Sequence, residues 1–218
     1  MCNLYSLTRS QDAIRAIRKA MRDKTGNLAP GSIFPDRPAP VIRKADGGDE
    51  MLMMRWGFPP LKAPGPVITN VRNTTSNFWK GWLRPEFRCL VPVSSFCEYT
   101  DATPKIAHWF ALDDSRPLFF FAGIWRPWTG VRGTKKEPIE GEHLLYSFLT
   151  TEANEVVRPI HAKAMPVMLT SEEDCDRWLN APVDEALQLQ RPYPADRMKV
   201  VAFGKGMTSD QPNDLVLT

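Results

Sequence analysis

The chain has 218 residues, 43% of them hydrophobic and 24% charged, with a formal net charge of +3. That is enough to bury a core as one large domain or two small ones, with a composition ordinary for a soluble globular protein. No apolar run approaches the ~20 residues of a membrane-spanning helix and the N-terminus lacks an apolar secretory core, so no membrane association and a cytoplasmic location are expected.

Cys2, Cys89, Cys97 and Cys175 form no CxxC pair and have no histidine at zinc-ligand spacing, which argues against a disulfide framework or a structural zinc. The mild positive charge permits an anionic partner without requiring one. Seven tryptophans and eleven phenylalanines suit either a thick core or base-stacking surfaces.

Residues 3–7 alternate loosely and read as a short strand that pins the N-terminus inside the fold. Ser10 can cap a helix with Ala13, Ile14, Ile17, Ala20 and Met21 on one face and Arg15, Arg18, Lys19 and Arg22, read as a solvated face, on the other. Residues 25–40, rich in proline and glycine, read as an extended loop. A strand opening at Val41 and Ile42 pairs across the Asp46-Gly47-Gly48-Asp49 turn with residues 51–56.

A proline-bearing loop then leads to Thr69-Asn70-Val71-Arg72, and Thr75 or Ser76 can cap a helix presenting Phe78, Trp79, Trp82 and Leu83 on one face until Pro85. Strand-length apolar segments follow at 89–93, 96–99, 108–112, 118–125 and 144–149, with a polar hairpin tip between Trp128 and Gly141. Thr151 can cap a short helix reaching Val157. After an apolar run over 165–169, Thr170-Ser171-Glu172-Glu173 resembles a capping box for a helix carrying Trp178 and Leu179, and residues 198–203 form a last strand. Without regular βα alternation, the pattern predicts one α+β domain over residues 1–218, its centre β-rich and barrel-like and flanked by short helices.

The second residue carries distinctive chemistry. Once Met1 is removed, Cys2 presents an α-amine and a thiol on adjacent carbons, with ordinary pKa values of about 8 and about 8.5, so both are partly nucleophilic at neutral pH. The amine can condense with an aldehyde and the thiol close on the same carbon as a thiazolidine. Equally, the thiolate can attack a peptide carbonyl, or the cysteine can be a small buried hydrophobe.

Three further groups interrupt apolar patterns. Glu98, in Phe96-Cys97-Glu98-Tyr99, is either a desolvated carboxyl with a raised pKa, suited to proton transfer, or an edge-strand residue pointing to water. His161 ends a loop before an apolar strand, a position fit for catalysis or for structure. Asn70 and Arg72 share a face of an extended segment, where an amide can hold an oxygen and a guanidinium a phosphate.

In order along the chain, Met1-Cys2, Asn27-Leu28-Ala29-Pro30-Gly31, Arg55-Trp56-Gly57, Thr69-Asn70-Val71-Arg72-Asn73, Arg88-Cys89-Leu90-Val91-Pro92, Phe96-Cys97-Glu98-Tyr99, Phe121-Ala122-Gly123-Ile124-Trp125 and Ile160-His161-Ala162-Lys163-Ala164-Met165-Pro166-Val167 resemble the SRAP family of SOS-response-associated peptidases, or abasic-site-processing proteins. The resemblance implies that Cys2 captures the aldehyde of an abasic site in single-stranded DNA. It further implies that Asn70 positions the opened sugar, Glu98 and His161 manage protons, and Arg72 holds a flanking phosphate. A Schiff-base stage also opens a route to β-elimination, and hence to weak lyase activity.

Two departures stand out. Asn3 and Leu4 follow Cys2 where the family often has Gly-Arg, which removes a phosphate contact and lowers the expected DNA affinity or its salt dependence. The loop after Gly57 carries prolines and no tryptophan pair, leaving Phe58 or Leu61 to wedge against the DNA. Two other readings use overlapping residues: a cysteine peptidase pairing Cys2 with His161, and a non-enzymatic single-strand binder using Trp56, Phe58, Arg72, Arg84 and Arg158. Trp79, Trp82, Trp125 and Trp178 are read as core. No cofactor or metal is expected, and a monomer that joins the nucleoid when bound to DNA is the expected state.

Overall fold

The computed structural model describes residues 2–18, 21–62 and 64–210. In chain order the elements are β1 (Tyr5–Leu7), α1 (Gln11–Ile17), β2 (Arg22–Asp23), β3 (Gly31–Ile33), β4 (Pro38–Ala45), β5 (Gly48–Trp56), β6 (Asn70–Val71), α2 (Asn77–Lys80) and β7 (Arg88–Val93). There follow β8 (Ser95–Tyr99), β9 (Ile106–Ala111), β10 (Phe119–Gly133), β11 (Pro138–Thr151), β12 (Met165–Pro166), β13 (Met168–Leu169), α3 (Glu172–Asn180), α4 (Val183–Leu187) and β14 (Lys199–Lys205). The class is α+β, as the pattern predicts.

A five-stranded barrel forms the centre. Antiparallel pairing runs β5–β4–β7–β10–β11, and a parallel junction that aligns Leu145 with Arg55 and Tyr146 with Trp56 returns β11 to β5 and closes the ring. Closure satisfies the backbone groups that open edges would leave unpaired.

Successive residues point to opposite faces, and both faces are covered. Val41, Trp56, Val91, Phe121, Tyr146 and Phe148 belong to one buried cluster, whereas Ile42, Leu90, Phe120, Ala122 and Leu145 join Trp178 and Leu179 of α3 in another. This two-sided burial explains the unbroken apolar run Phe119-Phe120-Phe121-Ala122. Of the tryptophans read as core, Trp79, Trp125 and Trp178 are buried and Trp82 packs partly buried against the second cluster.

A second sheet, in the order β14–β9–β8–β1–β3, threads the N-terminal strand between two others. Tyr5 aligns with Phe96 on one side and Ile33 on the other. The anchoring of the N-terminus is as expected; β3 is not, because residues 31–33 pair with β1 instead of forming loop.

Local signals act where the sequence places them. Ser10 Oγ accepts from the Ala13 amide (3.3 Å) and Ser171 Oγ from the Asp174 amide (3.1 Å), each satisfying a first-turn donor. Asp46 and Gly47 turn β4 into β5, with Gly47 at φ +83°, a conformation that favours glycine.

Three expectations are corrected. The supposed polar tip between Trp128 and Gly141 is mostly strand: β10 and β11 stay paired out to Gly133 and Pro138, leaving a turn at 134–137, while buried Arg132 ties the hairpin to Asp36 and to the Gly57 carbonyl (3.0 Å). Thr151 caps no helix because it pairs with Met165; instead Asn154 Oδ1 accepts the amides of Val156 (3.2 Å) and Val157 (3.0 Å) to organise a turn. The helix after Ser76 is one turn followed by a 3-10 turn over Gly81–Leu83, and Phe78 lies 40% exposed, off the buried face. Lys19 and Ala20 fall outside the described residues.

Candidate functional site

Three elements converge on Cys2. β1 runs antiparallel to β8, and the Cys97 amide donates to the Leu4 carbonyl (2.9 Å), so the first residues of the chain lie alongside the segment that holds Glu98. β6 pairs in parallel with β11, aligning Asn70 with Phe148. From there Asn70 Nδ2 donates to the Cys2 carbonyl (2.8 Å) and to Thr69 Oγ1 (2.7 Å), while Thr69 Oγ1 donates to Asn3 Oδ1 (3.0 Å).

A carbonyl can only accept, so the contact with Cys2 fixes which end of the Asn70 amide faces it. The other end, Oδ1, is buried and has no hydrogen-bond partner among the described residues. It is an acceptor available to a hydroxyl or an N–H.

The third element is the turn that ends at His161, whose amide donates to the Val157 carbonyl (2.9 Å). The imidazole Nδ1 lies 3.1 Å from the Ala164 carbonyl and 3.9 Å from Glu98 Oε2. Because a carbonyl oxygen cannot donate, Nδ1 is the nitrogen that carries a proton in this contact.

Glu98 is 2% exposed in β8, between β9 and β1, which excludes the water-facing edge position. Burial pushes its carboxyl up to about 7. A group poised there can both give and take a proton near neutral pH.

The Cys2 thiol is wholly buried, and Sγ donates to the Leu4 carbonyl (3.4 Å). Burial, and after it the charge of Glu98, push the thiol well above its ordinary range. These shifts belong to the chain that still carries Met1, in which the sulfur is a packed, buried group. Beside it, Tyr5 and Tyr146 share a hydrogen bond of 2.5 Å between their phenol oxygens, both raised by burial.

Arg72 sits just beyond β6, exposed, with Nη1 donating to the carbonyls of Thr151 (2.5 Å) and Lys163 (3.2 Å). Asn70 is buried and Arg72 is exposed, one residue past the end of β6 at Val71. Lys163 lies two residues past His161, so the tether still holds the guanidinium beside the site.

The aromatic surface expected at Trp56 and Phe58 is absent. Trp56 is fully buried against Tyr5, Tyr146 and Phe148, with Nε1 donating to the Thr69 carbonyl (3.1 Å). Phe58 is fully buried, with Trp79 beside it. A ring without exposed surface cannot stack on a base, so both leave the list of DNA contacts; on the same loop Leu61 is 66% exposed.

Arg84 is exposed and paired with Glu86 (3.2 Å). Exposed Arg158 donates to the Ala153 carbonyl (2.9 Å) on the turn that carries His161. Thr69 and Asn3 complete the polar chain around Cys2; the sequence assigned neither a role at the site, and their adjacency to Asn70 and to Cys2 was the available signal.

A family profile described as SOS response associated peptidase (SRAP) matches residues 1–209. The chain belongs to the SRAP family. No protein of curated function matches it. Among solved structures, an SRAP chain of this kind is similar to a protein from Bordetella bronchiseptica at 21% identity and TM-score 0.72, covering 94% of this chain and 100% of that one.

A protein from Bacteroides thetaiotaomicron aligns at 21% identity and TM-score 0.69 over 91% and 90% of the two chains. A phage-related protein from Bordetella bronchiseptica does so at 19% and 0.66 over 94% and 93%. At these identities the likeness extends to the fold alone. Among the described residues no helix of this SRAP protein is long and apolar enough to cross a membrane.

Proposed function

We propose that this SRAP protein captures the aldehyde of an abasic site in single-stranded DNA, using the amine and thiol of Cys2 once Met1 has been removed. The observation that carries the reading is the set of groups gathered round Cys2: Asn70 holds its carbonyl, and Glu98, pushed up to about 7 by burial, lies 3.9 Å from the Nδ1 of His161.

Before Met1 is lost, the nitrogen of Cys2 is an amide and cannot condense. Afterwards its lone pair adds to the aldehyde carbon, and the carbinolamine oxygen leaves as water when protonated, giving a Schiff base. Glu98 in its acid form supplies that proton, and His161 takes protons up. The thiol then adds to the same carbon as its proton passes to nitrogen, closing the thiazolidine. Aldehyde plus aminothiol gives thiazolidine plus water, with no strand broken.

Asn70 fixes the Cys2 backbone, and its unpartnered Oδ1 accepts a hydroxyl of the opened sugar. Arg72, held by two backbone carbonyls, supplies charge for a flanking phosphate. If a base instead removes the C2′ proton at the Schiff-base stage, the 3′ phosphate departs, which is the weak lyase branch.

The peptidase reading needs a thiolate at neutral pH. With Met1 in place, burial and the charge of Glu98 raise the Cys2 thiol well above its ordinary range, which weighs against a thiolate attacking the Met1-Cys2 bond.

The test is a denaturing gel of methionine-processed protein with a single-stranded oligonucleotide carrying one abasic site, beside Cys2→Ala and an intact-base oligonucleotide. A heat-stable band requiring both lesion and Cys2 is expected. Its absence, once mass spectrometry has established that Met1 is gone, overturns the reading in favour of peptide hydrolysis.

A further inference from the structure

The face of the second sheet that carries Glu98 continues outward to an aromatic side chain that the chemistry above does not use. Glu98 on β8 is aligned with His108 on β9, and His108 with Phe203 on β14. Directly paired residues project to the same face, so the three form a row running from the buried carboxyl to the sheet edge. Strands lie about 4.8 Å apart, so Phe203 is roughly 10 Å from Glu98 across the sheet.

A register shift between Val200 and Ala202 puts Phe203 in this row. Val200 is aligned with Phe110 and Ala202 with Trp109, so Val201 is the extra residue. Had the register of Val200 continued unshifted, Ala202 would stand opposite His108 and Phe203 opposite Ala107, projecting from the other face. Bulges re-aim side chains in this way and are treated as specified features of a fold.

The ring so placed is 70% exposed on an edge strand, where charged residues commonly guard against misassembly. It lies nearly parallel to the His108 imidazole, 15° between planes and 5.7 Å between centroids. The imidazole is itself steadied by donation from Nδ1 to the Ile106 carbonyl (3.3 Å). Two residues further on, Lys205 is exposed opposite Ile106, next to exposed Lys105.

An exposed aromatic face backed by a second ring, with cations alongside, matches what a single-stranded nucleic acid presents: a base with a π-face and a phosphate. Resting on the function proposed above, we infer that Phe203, backed by His108, is the platform on which the base of a nucleotide flanking the abasic sugar stacks, with Lys205 beside its phosphate. It takes the part for which Trp56 and Phe58 are too deeply buried. Stacking does not distinguish base edges, so tolerance of any flanking base follows.

The test measures binding and chemistry separately, on methionine-processed wild type, Phe203→Ala and Phe203→Trp. The exposure of Phe203 makes misfolding of these variants no concern. Anisotropy reads affinity for an unreactive single-stranded oligonucleotide bearing a tetrahydrofuran spacer at the lesion position, its two neighbours being either thymidines or further spacers. Gel shift reads crosslinking to the corresponding abasic oligonucleotides.

With thymidine neighbours, Phe203→Ala is expected to weaken binding about 10-fold, and Phe203→Trp to retain it. With base-less neighbours, wild type and Phe203→Ala are expected to bind alike. Equal affinities with thymidine neighbours, or an equal loss with both oligonucleotides, overturn the platform. A Phe203-dependent affinity without any crosslink leaves the platform standing and removes the aldehyde chemistry; a crosslink with Phe203-independent affinity does the reverse.

Discussion

Replacing Glu98 by glutamine separates what this carboxyl costs the fold from what it gives the site. In the native chain burial raises its pKa from the ordinary 4.5 to about 7. The folded state therefore holds a proton more tightly than the unfolded chain, and stability falls as pH rises through that window. The stabilisation relative to the ionised form is fully present below pH 4.5 and lost as pH climbs past about 7.

At about 1.4 kcal/mol per pH unit of pKa difference, the burden is roughly 1 kcal/mol at pH 5 and reaches about 3 kcal/mol at pH 8. Glutamine has nearly the same shape and no charge to desolvate. Urea unfolding at pH 5 and pH 8 should show the advantage of Glu98→Gln over wild type growing by about 2 kcal/mol between the two. The same variant should crosslink abasic DNA at least about 100-fold more slowly and lose the fall in rate above pH 7 that deprotonation of the acid form brings to wild type. Parallel stability profiles for the two proteins across this range would refute the claim that Glu98 is buried with its pKa raised.

Asn70→Ala removes the donor to the Cys2 carbonyl. It is expected to cost about 1 kcal/mol in urea unfolding and to slow crosslinking more than tenfold, whereas Asn70→Asp, which keeps an acceptor but loses the donor, should not rescue the rate. Trp56→Ala should act through the core, losing about 3–5 kcal/mol of stability by chemical denaturation; a fully stable variant with only DNA affinity reduced would contradict the burial of this ring. Fully buried Arg88 donates to the carbonyls of Leu83 (2.6 Å), Trp178 (2.9 Å) and Ala181 (2.7 Å), and burial lowers its pKa to about 10. Arg88→Ala strands those acceptors and opens a cavity at the end of α3, so a loss of about 3 kcal/mol or more is expected in thermal or urea unfolding.

Local chemistry was written locally. Ser10 and Ser171 cap the helices they precede, Asp46-Gly47 turns the β4–β5 hairpin, and strand-length apolar runs mark barrel strands, because each depends on residues within a few positions of one another. Glu98 was legible as a carboxyl in an apolar run but not as a desolvated one: a buried strand and a water-facing edge give the same local pattern, and only the position of β8 between β9 and β1 decides. Inside and outside were not legible for the aromatic residues. Trp56 and Phe58 carry the same apolar signal whether a ring faces a core or a base, and only the parallel β11–β5 junction, which closes the barrel beside them, decides for the core.

The sequence by itself determined the α+β class, several of the strands, the caps at Ser10 and Ser171, the aminothiol of Cys2, and the presence of Asn70, Glu98 and His161 as polar groups out of keeping with their surroundings. Tertiary structure decided that Asn70 reaches Cys2 across 68 positions of chain, that His161 comes to 3.9 Å from Glu98, and that a register shift at Val201 puts Phe203 on the face of Glu98. The division has one physical cause. Capping and alternation are set by the chain's own covalent geometry, whereas distance between remote residues and the register of paired strands exist only once non-local pairing has closed the sheets.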